Sequence, residues 1–161
     1  MIDSILNSIK TTLTSDNILS GLVSSGSLDI DIYDYELLKH IEDQVEDLGA
    51  KVEIKFGDIA RESYDTYSPY NEYIINGRID ISENVNLNRA LPVYRTGLQI
   101  ASNCFARLQN CSLSGSNNIE NLVKITPLSM KNNPNNLDPK KAEYINYTID
   151  WTCKGFLGGE Q

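Results

Sequence analysis

The residue types that ordinarily carry chemistry are few in this chain and poorly placed for it. His40 is the only histidine, so a multi-histidine metal site cannot be assembled. It stands at the flank of the apolar stripe Leu37, Leu38, Ile41, Val45 and Leu48, where a helix-boundary residue is expected rather than a general base. A Ser-His-Asp arrangement would need partners that nothing in the spacing marks. Cys104, Cys111 and Cys153 form an odd set without the short spacing of a zinc site. Cys104 and Cys111 share one side of a helix if it runs that far, and Cys153 falls in the inward set of a strand. No basic neighbourhood accompanies them to favour the thiolate. All three therefore read as small buried hydrophobes, in keeping with a reducing compartment.

The acidic run "DIDIYDYE" (29–36) raises calcium binding. An EF-hand loop opening at Asp29 needs Gly at its sixth position and Glu at its twelfth, where Asp34 and His40 stand. The pattern fails, and a solvated acidic edge is the expectation. Asp29, Asp31 and Asp34 then become candidates for contact with another protein. No glycine loop that could cradle a phosphate is present: "SLSGSNN" lacks a following Lys-Ser/Thr, and "GFLGG" opens no helix. No catalytic, cofactor-binding or metal-ligating residue is assigned, and neither an enzyme nor a cofactor is expected.

The stretch "RESYDTYSPYNEY" (61–73) spaces Tyr64, Tyr67, Tyr70 and Tyr73 three apart among polar residues. One or two of these rings can simply fold back onto a sheet. The functional alternative is that Tyr64, Tyr67 and Tyr70 contact another protein, since tyrosine brings large area, few rotamers and a hydroxyl for a polar rim. A carbohydrate-stacking platform is a third reading. The connection is longer than a hairpin needs, which favours a role in contact.

These residues must be held by the elements around them. At 161 residues and 40% hydrophobic, one domain spanning 1–161 with a real core is expected. The net charge of −8 and pI near 4.6, with basic residues scattered, argue against specific nucleic-acid binding. No membrane span or signal-peptide pattern is visible, so the expectation is an intracellular chain without membrane contact.

Ile2, Ile5, Leu6, Ile9 and Leu13 predict an amphipathic helix over 2–14. Asp16 caps a continuation through Ile18, Leu19, Leu22 and Val23, which "SSGS" ends. Residues 29–36 are a short strand or an extended lead into a helix over 36–48, stopped by Gly49. "KVEIKFG" (51–57) alternates as a half-buried strand. In "EYIINGRIDIS" (72–82), Asn76-Gly77 signals a hairpin, but only one continuous strand keeps Tyr73, Ile75, Ile79 and Ile81 on one face, with Gly77 marking a bulge. Leu91, Tyr94, Leu98, Ala101, Phe105 and Leu108 predict a helix over 91–109 with Pro92 in its first turn. "NLVKITPL" (121–128) reads as a strand ended by Pro127. Mobile loops are expected near 58–72 and 129–141. The final strand turns Ile145, Tyr147, Ile149, Trp151 and Cys153 inward. With no βαβ rhythm, the fold class is α+β: a mainly antiparallel sheet of four or so strands with helices packed on one face.

The arrangement resembles the tail-terminator proteins of contractile-tailed, Mu-like bacteriophages and of phage-tail-like particles. The resemblance rests on the N-terminal helix "MIDSILNSIKTTL", on "ELLKHIEDQVEDLGAKVEIKFGD", and on the series "YIINGRIDIS", "LPVYRTGLQIASNCFARLQN" and "LVKITPL". The closing "AEYINYTIDWTCKGF" after an Asn/Pro/Lys-rich loop completes it. It is one of pattern and order, without a signature motif. It implies a structural virion protein that forms a hexameric ring on the finished tail tube, stops polymerisation and meets the neck. The implied partners are other copies of itself and the tube, sheath and connector proteins. DNA would pass through the lumen without specific binding, and the place would be the virion tail, assembled in the host cytoplasm. A different head-tail connector or tail-completion subunit, or a small-ligand or sugar-binding module, are the alternatives.

Overall fold

The computed structural model describes residues 2–33, 49–61, 71–109, 111, 125–132 and 143–157. Two helices open the chain: α1 (Ile2–Thr14) and α2 (Asn17–Ser24). Ile5, Leu6, Ile9 and Leu13 of α1 are buried, the stripe that their spacing predicts. The Asp16 carboxylate accepts from the Ile18 and Leu19 amides, which satisfies orphan donors of α2 and starts a new helix where α1 ends. Gly26, at φ 79°, makes the left-handed turn that delivers the chain into the sheet.

Among the described residues the sheet has five strands: β1 (Leu28–Ile32), β2 (Ala50–Arg61), β3 (Asn71–Asn84), β4 (Ile125–Asn132) and β5 (Glu143–Leu157). Their spatial order is β1-β2-β3-β5-β4. All neighbours are antiparallel except β1 and β2. The acidic run therefore does begin with a strand, and it adds one parallel pair to the antiparallel sheet that the sequence predicts. A parallel pair needs a crossover of a dozen or more residues. The helix expected over 36–48 falls in that crossover, outside the described residues.

β3 is continuous through Asn76-Gly77, so face bookkeeping outweighs the hairpin dipeptide. Ile75, Ile79 and Ile81 are fully buried with Val52 and Ile54 of β2 and Ile149, Trp151 and Cys153 of β5. Each such isoleucine contributes about 1.5–3 kcal/mol through burial. The irregularity expected at Gly77 lies instead on β2, between Phe56 and Asp58. Gly77 is opposite Phe56 and Trp151 in register, and a Cβ there would overlap the Trp151 indole. Its glycine makes room for a ring rather than a bulge.

The helix expected over 91–109 is α4 (Gly97–Leu108), preceded by a single-turn α3 (Val85–Arg89). Pro127 does not end a strand but lies inside β4, opposite Tyr147. β4 is an edge strand, the place in a sheet where a residue without an N–H is tolerated. The ladder also extends into both stretches expected as loops: 58–61, 71–72 and 129–132 belong to strands. Helices α1, α2 and α4 supply Ile5, Ile9, Leu13, Leu19, Ile100, Cys104 and Leu108 to one core with the inward sheet face. The fold class is α+β, as the sequence predicts.

Candidate assembly surfaces

The sheet face turned away from this core is polar, because the residues alternating with the buried set are charged. Lys55 Nζ lies 2.6 Å from Asp80 and 3.8 Å from Glu53, and Glu53 also meets Lys51 at 3.4 Å. Asn76 donates to Asp58 at 2.7 Å and accepts from Thr152 at 2.8 Å. Arg78 and Asp150 face each other at 3.5 Å. Burial alone would lower the pKa of the Lys55 ammonium. Its hydrogen bond to Asp80 and the charges of Asp80 and Glu53 outweigh that, so the pKa stands above the ordinary lysine value. Lys55 therefore keeps its proton near neutrality, and its ammonium also sits 4.7 Å from the Tyr33 ring centroid. A cleft of about 290 Å³ opens beside the β2 irregularity, among Lys55, Gly57, Asn76, Arg78 and Asp150. It sits at the small end of the range for ligand pockets, and its charges are matched to one another.

Of the residues singled out by sequence, Asp29 and Asp31 lie on β1, whose buried positions Leu28 and Ile30 alternate with them. Asp31 accepts from Lys10 Nζ at 3.2 Å and from the Ile32 amide at 2.8 Å. That second bond occupies a donor on an edge strand, a way of blunting the edge against unwanted pairing. Asp34, His40, Tyr64, Tyr67 and Tyr70 lie outside the described residues. Tyr73 is on β3 and half-buried. Cys104 is fully buried on α4, and desolvation pushes its thiol up to about 12. Cys111 follows the helix rather than extending it. Burial raises its thiol too, against a Thr12 hydrogen bond and Arg107, which lower it. Cys153 is buried on β5. Among the described residues no group of His, Cys, Asp and Glu could hold a metal ion, and no helix is long and apolar enough to cross a membrane.

The surface that the spacing did not reveal is the loop between α3 and α4. Glu83, fully buried at the inward end of β3, accepts from Asn88 Nδ2 at 2.6 Å and from the Gly97 amide at 2.9 Å. Arg89 Nε approaches the same carboxylate at 3.5 Å. A carboxylate at the N-terminus of α4 meets both its free amides and its dipole. Asn88, itself buried, also donates to the Arg95 carbonyl at 2.7 Å, and the buried Ser27 hydroxyl donates to the Val93 carbonyl. Thr96 and Gln99 then close a capping box on α4. With its backbone so held, the loop turns Val93 (51% exposed) and Tyr94 (43%) outward, beside Leu98 (51%) in the first turn of α4. The sequence carried one usable sign: Thr96-x-x-Gln99 is a helix-start signature.

No family model matches the chain, and no curated protein matches it. A solved structure does. The chain is similar in fold to a chain of a structure described as the virion of a native gene transfer agent particle, with a TM-score of 0.52 and 15% identity. The likeness covers 96% of this chain and 97% of that one. At that identity it establishes a shared fold, and it does so end to end.

Proposed function

We propose that this chain is a structural, non-enzymatic subunit of a phage or phage-like particle, and within it a tail terminator. In this reading copies close into a ring, hexameric by analogy with the family that the sequence resembles. The ring caps the finished tail tube, meets the sheath, and joins tail to neck in the virion. The observation that carries the proposal is the end-to-end fold likeness to a chain from a gene transfer agent virion. The order of helices and strands on which the tail-terminator resemblance rests spans most of the chain.

The charge is compatible with this role. If part of the net charge of −8 lines the bore of the ring, DNA slides through without sticking. Asp29 and Asp31 on β1, together with Asp34, Tyr64, Tyr67 and Tyr70, remain the proposed contact residues toward neighbouring proteins.

A different connector or tail-completion subunit would share the fold likeness, so the deciding experiment concerns tail length. Particles assembled without this gene should carry tails of uncontrolled length, measured by electron microscopy. Tails of normal length in the deletion would exclude the terminator role, and headless particles with normal tails would favour a connector.

A further inference from the structure

We propose that Cys111 and Cys153 are a redox pair, which glutathione disulfide converts into a bridge fastening the end of the helical layer to the sheet. Such a pair is independent of whether copies of the chain close into a ring.

The path of α4 brings the two cysteines together. A Cβ on Gly97 would stand 3.1 Å from side-chain atoms of both Glu83 and Tyr147, so the helix starts over this end of β3 and β5. Glu83 pairs with Ile145, beside the last residue of β3 and near the first of β5. From there α4 keeps Ile100, Cys104 and Leu108 buried only by running over the sheet, along β5 toward Cys153. A strand advances about 3.3 Å per residue, which puts Cys153 about 20 Å beyond Tyr147. A helix advances about 1.5 Å per residue, which carries the chain about 16 Å from Gly97 to Leu108. The Cys111 amide then bonds back to the Leu108 carbonyl at 3.1 Å, holding Cys111 at that same end.

Both side chains belong to one core. Cys153 is fully buried on the inward face of β5, and Cys111 packs against the cluster that contains it. Negative charge on Cys153 is also felt at Cys111, where it raises the thiol pKa, and charges interact this way only at short range.

Their exposure divides the chemistry between them. Cys111 is half-buried and is the thiol that a reagent can reach. Its thiolate attacks one sulfur of glutathione disulfide, so that bond breaks, one glutathione leaves and Cys111 holds the other. Cys153 then gives up its proton, attacks the Cys111 sulfur and expels the second glutathione. Two protein thiols are oxidised, one glutathione disulfide is reduced to two thiols, and the two cysteine protons end on them. Cys104, earlier on the helix, is fully buried with its thiol pushed up to about 12, so it stays out of the exchange. All three cysteines are free in this structure, the state that a reducing cytoplasm maintains. Passage to an oxidising compartment closes the pair.

Incubating the reduced full chain with glutathione disulfide, then counting thiols and mapping peptides by mass spectrometry, tests this. Free thiols should fall from the three present in the sequence to Cys104 alone, with the Cys111 and Cys153 peptides linked. The thermal midpoint should rise by about 5–10 °C and return when dithiothreitol is added. Cys153→Ala should stop at the mixed disulfide on Cys111, and Cys111→Ser should leave Cys153 reduced. Wild-type chain that stops at glutathione on Cys111, that bridges through Cys104, or that links two chains through these cysteines would overturn the pair. A bridged chain with an unchanged midpoint would overturn its role as a fastening.

Discussion

At Gly77 a hydrogen stands where a Cβ would collide with the Trp151 indole, and this one absence lets the largest buried side chain lie across the middle of the sheet. Gly77→Ala should cost about 1–3 kcal/mol or more through overpacking, read as a lower urea midpoint. An unchanged midpoint would show that the indole has somewhere else to go. Cys104 makes a second residue-scale prediction. Its thiol is pushed from 9.0 to about 12 in the folded protein. Unfolded chains thus release this proton above pH 9 while the native state still holds it. The stabilisation is complete below pH 9 and declines as pH rises toward about 12, by up to about 1.4 kcal/mol per pH unit. Cys104→Ala should flatten this part of the alkaline stability profile relative to wild type, measured by urea unfolding at successive pH values. Parallel profiles would contradict the burial argument.

At the scale of elements, amphipathic period was a dependable guide where one face is buried and the other wet. α1, β2, β3 and β5 follow their alternation because Ile5, Ile9, Val52, Ile54, Ile79, Ile81 and Ile149 all meet in one core. The same reasoning failed over 91–109. Leu91 and Tyr94 continue the helical spacing of Leu98, but Glu83, Asn88 and Ser27 bind the backbone ahead of α4 in a non-helical path, and tertiary polar contacts override local period. Tyr94 is consequently solvent-facing, and Leu98, in α4 but off its buried face of Ile100, Ala101, Cys104 and Leu108, is exposed as well. Asp29 and Asp31 were legible as an outward acidic pair, whereas Asp31's bond to an edge amide depends on three-dimensional register. Pro127 misled for a related reason: its effect on a strand depends on whether a neighbour needs its amide, and β4 is an edge. Two substitutions separate these contributions. Thr96→Ala should remove the α4 cap at a cost of about 1 kcal/mol. Glu83→Ala, which leaves the Asn88 amide group and the Gly97 amide without their acceptor, should cost about 3 kcal/mol. Equilibrium unfolding measures both, and hydrogen exchange at the first turn of α4 should accelerate in each. An equal cost for the two would show that the buried carboxylate is not the main anchor of this helix.

The described residues form a five-stranded sheet with helices on one face and a polar, ion-paired face opposite. The fold is shared end to end with a chain from a virion particle. The proposed function rests on self-assembly. The most direct measurement is electron microscopy of the purified full chain at high protein concentration. Closed rings of one uniform size are the expected result. A field of single subunits at every concentration would contradict it.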